Sequence, residues 1–146
     1  MATINTDHLN QCIKTLEYSL EHLNTSNAKS IEHEVFRNAV IKGFELTLET
    51  AGKLLRKALK AYIATPRVVD QLTYKELFRH ATKHGLLDTK TAERWFDYRD
   101  NRNDTAHDYG IAFTQTTLKL LPQFLKDAKE LQQMLNSKLG SHHAKS

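Results

Sequence analysis

The feature that most restricts the fold is one long helical pattern in the second quarter of the chain. Over residues 31–64, apolar side chains recur every three or four positions, which is the spacing of one face of an α-helix. The stripe consists of Val35, Phe36, Val40, Phe44, Leu48, Ala51, Leu55, Leu59 and Tyr62. Such a helix would be about 50 Å long at about 1.5 Å per residue. Because this exceeds the width of a small domain, part of the helix is expected to serve a dimer.

Glycine and proline divide the middle of the chain. Gly43 and Gly52 lie inside the long pattern, and since each costs about 1 kcal/mol of helix stability relative to alanine, each is predicted to mark a close helix crossing or a kink. The long helix should stop before the proline that follows it, and residues 67–72 are predicted to be a connector. A short helix then begins at Thr73, with a capping box, and ends at Gly85.

Three further helices complete the pattern. The first begins at Thr6 or Asp7, and another begins at Asp88 or Thr89. The last contains Pro122, where a bend or a restart is expected because proline cannot donate the helical hydrogen bond. The sequence therefore predicts an all-α fold, an antiparallel four-helix up-and-down bundle plus one short helix, with the last helix kinked at Pro122.

Composition excludes several other classes of protein. The 146 residues are predicted to form one domain, residues 1–146, with a flexible tail over about residues 140–146. Cys12 is the single cysteine, so neither a disulfide framework nor a thiolate zinc site is expected. His80 and His84 are four residues apart but have no third ligand nearby, so neither a metal nor a cofactor is expected. No apolar run is long enough for a membrane span and no signal region is present, which predicts a cytoplasmic protein.

Positive charge is concentrated in the middle third of the chain. The net charge is +4, and residues 51–83 hold eight basic and two acidic groups. Basic side chains recur there at helical spacing and are predicted to form a face that binds RNA or an acidic partner. They are Lys53, Arg56, Lys57, Lys60, Lys75, Arg79 and Lys83. An ordinary solvated face is the alternative.

Polar side chains with chemical potential crowd into residues 99–109, which are predicted to be a helix end closed by Gly110. Arg102 offers a planar cation that suits phosphate oxygens, and His107 can exchange a proton near neutral pH. Five residues on an ideal helix place the two about 140° apart. They would meet only if the helix unwound near His107 or if two chains shared the site. Alternatively, Arg102 pairs with a nearby aspartate and His107 merely favours a helix C-terminus.

The stretch resembles the R-x4-H-x-Y motif of the HEPN superfamily. It reads Arg102-Asn103-Asp104-Thr105-Ala106-His107-Asp108-Tyr109. More narrowly, the chain is similar to the nucleotidyltransferase substrate-binding proteins related to HepT toxins, which are encoded beside a minimal nucleotidyltransferase (MNT). The resemblance covers most of the chain, through its length, its helical pattern and the late position of the motif.

The resemblance implies a homodimer and a metal-independent endoribonuclease toxin that an MNT partner neutralises. Arg102 and His107 would be catalytic, and Asn103 and Thr105 would support them by orienting the phosphate or the histidine. A second possibility is a non-catalytic substrate-binding subunit of the MNT, with Tyr109 as a candidate AMP acceptor. A third is a helical oligomerisation module whose motif is inert, because a fold does not by itself imply a function.

Overall fold

The computed structural model describes residues 3–105 and 111–140, without the side chains of residues 103–105 and 111–113. The helices of this part are α1 (Asp7–Thr25), α2 (Ile31–Leu59), α3 (Pro66–Asp70), α4 (Tyr74–Lys83), α5 (Thr89–Thr105) and α6 (Ile111–Leu139). None of them is both long and apolar enough to cross a membrane. The predicted all-α fold is confirmed.

The four long helices, which are α1, α2, α5 and α6, form an up-and-down bundle. Helix α1 packs along α2 and α6, and α5 packs along α6, while α4 lies between α2 and α5. Contacts between helices show the antiparallel sense: Arg94 near the start of α5 reaches Asp127 on α6, whereas Asn101 further along α5 reaches Thr117, earlier on α6. Where the chain enters α1, the Ile4 N–H donates to the Leu139 carbonyl oxygen at 2.7 Å. This bond ties the beginning of α1 to the end of α6.

The boundaries differ from the sequence prediction in the middle of the chain. Helix α2 ends at Leu59, five residues before the predicted end, and the next N–H groups bond to carbonyls three residues back, which tightens the chain into a turn. Residues 66–70 form the short helix α3 instead of a connector, with Pro66 at its first position, where a missing N–H costs nothing. Helix α6 continues through Pro122, so the expected restart is wrong, and the kink there stays a prediction.

Capping residues set the other helix ends. The Thr73 hydroxyl accepts from the Glu76 N–H and the Glu76 carboxylate accepts from the Thr73 N–H, as the predicted capping box requires. The pKa of Glu76 is lowered chiefly by the hydrogen bond from the Thr73 backbone and next by that of the Thr73 side chain. Asp88 accepts from the Thr91 N–H at 2.7 Å and thereby begins α5. Gly85, with φ of 73°, ends α4 in the left-handed conformation that suits glycine.

Aromatic rings from four helices form the centre of the core. Trp95 on α5 stacks on Phe78 of α4 at 5.0 Å between ring centroids and meets Phe124 of α6 edge to face at 5.6 Å. Phe124 also contacts Phe44 of α2 at 4.8 Å and Tyr98 at 4.9 Å. Each ring offers its edge to the face of a neighbour or stacks on it, the arrangements that aromatic pairs prefer.

A buried carboxylate fixes α5 against α6. The Asp127 side chain has 0% exposure. One of its oxygens accepts from Arg94 Nε at 2.8 Å and from the Tyr98 hydroxyl at 2.6 Å, and the other accepts from Arg94 Nη2 at 2.8 Å and from Gln123 at 3.2 Å. Burial, followed by the bond to Asp127, raises the pKa of Tyr98, and the same carboxylate raises the pKa of Arg94. The network is therefore a charged pair with its remaining hydrogen bonds filled, as burial of a charge requires.

A glycine lets α4 approach α2 closely. A Cβ atom at Gly52 would lie 2.5 Å from Tyr74 Cε2, closer than two such atoms can come. The Tyr74 ring is held in place because its hydroxyl donates to the Leu48 carbonyl oxygen at 2.9 Å. Gly52 therefore marks a close helix contact, as predicted. Gly43 does so more loosely, since the atom closest to its Cβ would be the terminal methyl of Leu16, at 3.1 Å.

Replacing Asp127 with alanine should lower the free energy of unfolding by about 2–4 kcal/mol. The loss leaves the buried Tyr98 hydroxyl without its acceptor, although Arg94 can still turn towards water. Urea unfolding would measure it. Asp97→Ala removes an exposed carboxylate from α5 and should change stability by less than about 0.5 kcal/mol. Equal effects of the two substitutions would contradict the role given to Asp127.

Gly52→Ala should destabilise the protein by about 1–2 kcal/mol more than Gly43→Ala does. Both substitutions gain the same helix propensity, so their difference isolates the collision with Tyr74, which must leave its bond to Leu48. Thermal and urea unfolding of the two variants would measure this difference. The close contact would be refuted if Gly52→Ala were as stable as Gly43→Ala.

Candidate functional site

A cationic cleft of about 250 Å³ lies between α2, α4 and α5. Helix α2 contributes two cations to it, Lys53 and Arg56, and α5 contributes two more, Arg99 and Arg102. The other described lining residues are Glu49, Gly52, Tyr74 and Leu77. With four cations and one carboxylate among its described residues, the cleft attracts anions.

The spacing of the cations follows from helix geometry. Lys53 and Arg56 are three residues apart, as are Arg99 and Arg102, and residues three apart are neighbours on one helix face. One pair lines the cleft from α2 and the other lines it from α5. The site therefore requires the bundle to be assembled, since neither helix alone supplies both pairs.

Local contacts hold several of these side chains. Arg56 donates to the Val69 carbonyl oxygen at 2.6 Å, which ties it to α3. The Arg99 guanidinium lies over the Tyr74 ring, 5.0 Å from its centroid. Lys53 approaches Glu49 at 3.9 Å, with both side chains more than half exposed, so this pair is weak. Glu49 accordingly neutralises little of the positive charge.

The Tyr74 ring is the rigid surface on which the Arg99 guanidinium lies. Burial raises the pKa of its phenol, and the charge of Arg99 opposes this only in part. The hydroxyl therefore stays protonated and keeps its bond to Leu48. Tyr74 supports a cation here, and its raised pKa makes it a poor general base near neutral pH.

The structure places the residues of the predicted catalytic motif unequally. Arg102 lies in the last turns of α5, is partly buried and lines the cleft. Asn103 and Thr105 belong to the same turns, but their side chains are outside the described part. His107 and Tyr109 lie outside the described residues, as does Gly110. The meeting of Arg102 and His107 therefore stays a prediction.

The predicted basic face separates into cleft residues and others. Of its seven members, Lys53 and Arg56 line the cleft. Lys60 pairs with Asp70 at 2.7 Å and Lys75 pairs with Asp100 at 2.8 Å, so part of the positive charge is compensated locally. The remaining members are Lys57 and Lys83, both exposed, and Arg79, which lies over the Phe96 ring at 5.2 Å.

Arg99 was missed by the sequence analysis as a site residue. Its signal was present, because it precedes Arg102 by three positions and so shares its helix face. What the sequence could not show is that α2 brings Lys53 and Arg56 to the same place. Among the described residues no group of three or more histidine, cysteine or acidic side chains could hold a metal ion.

Comparisons with known proteins agree with the motif. The probable ribonuclease HepT of Haemophilus influenzae is 22% identical over 139 residues, which cover 92% of this chain and 94% of that protein. Among solved structures, a Haemophilus influenzae protein reported to have the fold of a substrate binding domain of a nucleotidyltransferase superposes with a TM-score of 0.77. It is 21% identical, and the match covers 90% of this chain and 99% of the other.

A second solved structure extends the comparison. The tri-AMPylated HEPN toxin of Shewanella oneidensis, in complex with its MNT antitoxin, superposes with a TM-score of 0.65 and 11% identity over 90% of this chain and 98% of the other. At such identities the two structures show the fold alone. The family described as nucleotidyltransferase substrate binding protein like matches residues 5–137, nearly the whole chain. The protein therefore belongs to the family of nucleotidyltransferase substrate-binding-protein-like proteins.

Proposed function

We propose that the protein is a HEPN-type toxin that cleaves RNA without a metal ion and is neutralised by a partner nucleotidyltransferase. The observation that carries the proposal is that Arg102, the arginine of the R-x4-H-x-Y motif, lines a cleft with three further cations. A phosphodiester is the anion that such a cleft and such a motif suit. We place the activity in the cytoplasm.

The chemistry needs proton transfer and one charge stabiliser. The ribose 2′-OH attacks the adjacent phosphorus and gives its proton to a histidine acting as base. As the bond between phosphorus and the 5′ oxygen breaks, a second histidine gives a proton to that oxygen. The products are a 2′,3′-cyclic phosphate and a 5′-hydroxyl. Arg102 stabilises the negative charge of the phosphorane.

A homodimer supplies the two histidines. One chain has a single histidine in the motif, His107, and two chains would provide a base and an acid. The name of the HepT relative, a probable ribonuclease, supports the ribonuclease activity, and the HEPN toxin of the Shewanella complex supports the role as a toxin. The nucleotidyltransferase named in that complex as the MNT antitoxin supports the partner.

The second candidate is a non-catalytic substrate-binding subunit of a nucleotidyltransferase. The family description, which names substrate binding, favours it. Tyr109 is then the AMP acceptor, a role supported by the AMPylated state of the Shewanella toxin. The AMP-acceptor role of Tyr109 is compatible with the ribonuclease as well, because AMP on Tyr109 would add a phosphate close in sequence to Arg102 and His107 and so compete with RNA.

Arg102→Ala and His107→Ala should each lower RNA cleavage by at least about a hundredfold. The assay compares purified wild-type and variant proteins on a mixed RNA substrate in EDTA, with circular dichroism as the check that helicity is kept. Arg37→Ala and His8→Ala are the matched controls and should cleave as the wild type does. Full cleavage by either motif variant would exclude that residue from catalysis.

If the wild type does not cleave RNA, the mass of the protein must be measured before this result is interpreted. Absence of cleavage by a protein in which mass spectrometry shows an unmodified Tyr109 would favour the non-catalytic substrate-binding subunit. Sedimentation provides a separate check: the wild type and both motif variants should be dimers. A stable wild-type monomer would refute the two-histidine site.

Incubation with the partner nucleotidyltransferase, ATP and Mg²⁺ should add AMP to the wild type and to Tyr18→Phe, but not to Tyr109→Phe. Tyr18 is the control because its side chain is also exposed, at 57%. Mass spectrometry measures the addition, and the modified protein should lose RNA cleavage while Tyr109→Phe retains it. AMP on Tyr109→Phe would show that another residue is the acceptor.

A further inference from the structure

The cleft contains more positive charge than the cleavage step uses. Arg102 is enough to stabilise one phosphorane, yet Lys53, Arg56 and Arg99 line the same volume. Among the described lining residues Glu49 is the single carboxylate, and it lies 3.9 Å from a mostly exposed lysine. Three cations remain whose role the reaction does not explain.

Two of these three are placed to bind an anion. The Lys53 side chain is 77% exposed, so its ammonium can turn into the cleft. In the described part of the chain Arg99 forms no ion pair, and its contact with Tyr74 uses the flat face of the guanidinium. The N–H donors in the guanidinium plane can therefore point at a ligand. Arg56 differs, because one of its nitrogens already holds the Val69 carbonyl, and it contributes mainly charge.

The volume of the cleft limits the size of the ligand that it can hold. About 250 Å³ is less than the roughly 300–1,000 Å³ of pockets that enclose a drug-sized ligand. The missing side chain at Gly52 brings Tyr74 close to α2, and the Tyr74 hydroxyl is fixed on Leu48. The wall is therefore rigid, and Arg99, which lies over the Tyr74 ring, is preorganised. The cations of the lining favour a phosphate with part of a ribose over an uncharged nucleobase.

We propose that the cleft is a subsite for the phosphate next to the cleaved one, with Lys53 and Arg99 as its ligands. Arg99 lies one helical turn from Arg102, about 4.5 Å along the axis, so a strand whose reacting phosphate is at Arg102 would bring a neighbouring phosphate to Arg99. The proposal rests on the proposed ribonuclease function for the identity of the strand. It gives Lys53 and Arg99 a role that the other residues of the predicted basic face do not share.

The test uses dinucleotides that cannot react and differ by one phosphate. A 2′-O-methyl dinucleotide with one phosphodiester is compared with the same molecule carrying an extra phosphate at its 5′ end or at its 3′ end. Competition against a fluorescent 2′-O-methyl oligonucleotide gives each affinity. For the wild type, one of the two extra phosphates should tighten binding by roughly tenfold, the scale of one charge-assisted hydrogen bond.

Variants locate the contact. In Lys53→Gln and Arg99→Gln the gain from the extra phosphate should fall below about threefold. Lys126→Gln removes the same charge from an exposed position on α6 and should keep the full gain. Lys57→Gln, which lies one turn from Lys53 but does not line the cleft, should keep it too. Circular dichroism checks that all four variants are folded.

The outcomes separate this proposal from the ribonuclease function. Absence of any gain in the wild type, or an equal loss in Lys57→Gln and Lys53→Gln, overturns the subsite, even if unmodified RNA is cleaved. Conversely, a gain that depends on Lys53 and Arg99 in a protein that cleaves no RNA and has an unmodified Tyr109 supports a phosphate site at these two residues and refutes the nuclease. The cleft would then hold the phosphate of a bound substrate for the partner enzyme.

Discussion

The position of α5 depends on the buried charge of Asp127. Helix α5 carries few aliphatic side chains, and Trp95 and Tyr98 supply most of the apolar surface that it buries. Polar contacts must therefore fix its register, and the bidentate bond from Arg94 to Asp127 is specific in a way that apolar packing is not. A second buried polar contact, from Asn101 to Thr117 at 3.0 Å, lies two turns further along. The two bonds set both the depth and the rotation of the helix.

That register determines which α5 side chains reach the cleft. With Tyr98 and Asn101 turned to the core, Arg99 and Arg102 lie on the neighbouring face, towards α2 and α4. The charges come from α5 and α2, and the rigid support comes from Tyr74 on α4. A contribution from three helices explains how four cations come to line so small a cleft. It also means that core stability and anion binding share the same helix.

Much of the fold was readable from the sequence, because helical periodicity, the Thr73 capping box and Gly85 act locally. The end of α2 was not, since the five residues after Leu59 keep a helical pattern but turn back instead. Asp127 was overlooked, although a charged residue inside the apolar stripe of α6 is itself a signal of burial. The cleft could not be predicted, because it depends on the pairing of α2 with α5. Arg102 was identified through its motif, and whether His107 joins it is still a prediction.

The bond between Ile4 and Leu139 has a practical consequence for surface-based measurements. It brings the two ends of the described bundle together beside α1 and α6, and no described side chain of these helices lines the cleft. Because Ile4 and Gly140 are themselves buried, a tether would be attached to the chain just outside them, beside α1 and α6. Protein immobilised in this way would present the cleft to solution, and the same orientation would hold whichever end carried the attachment.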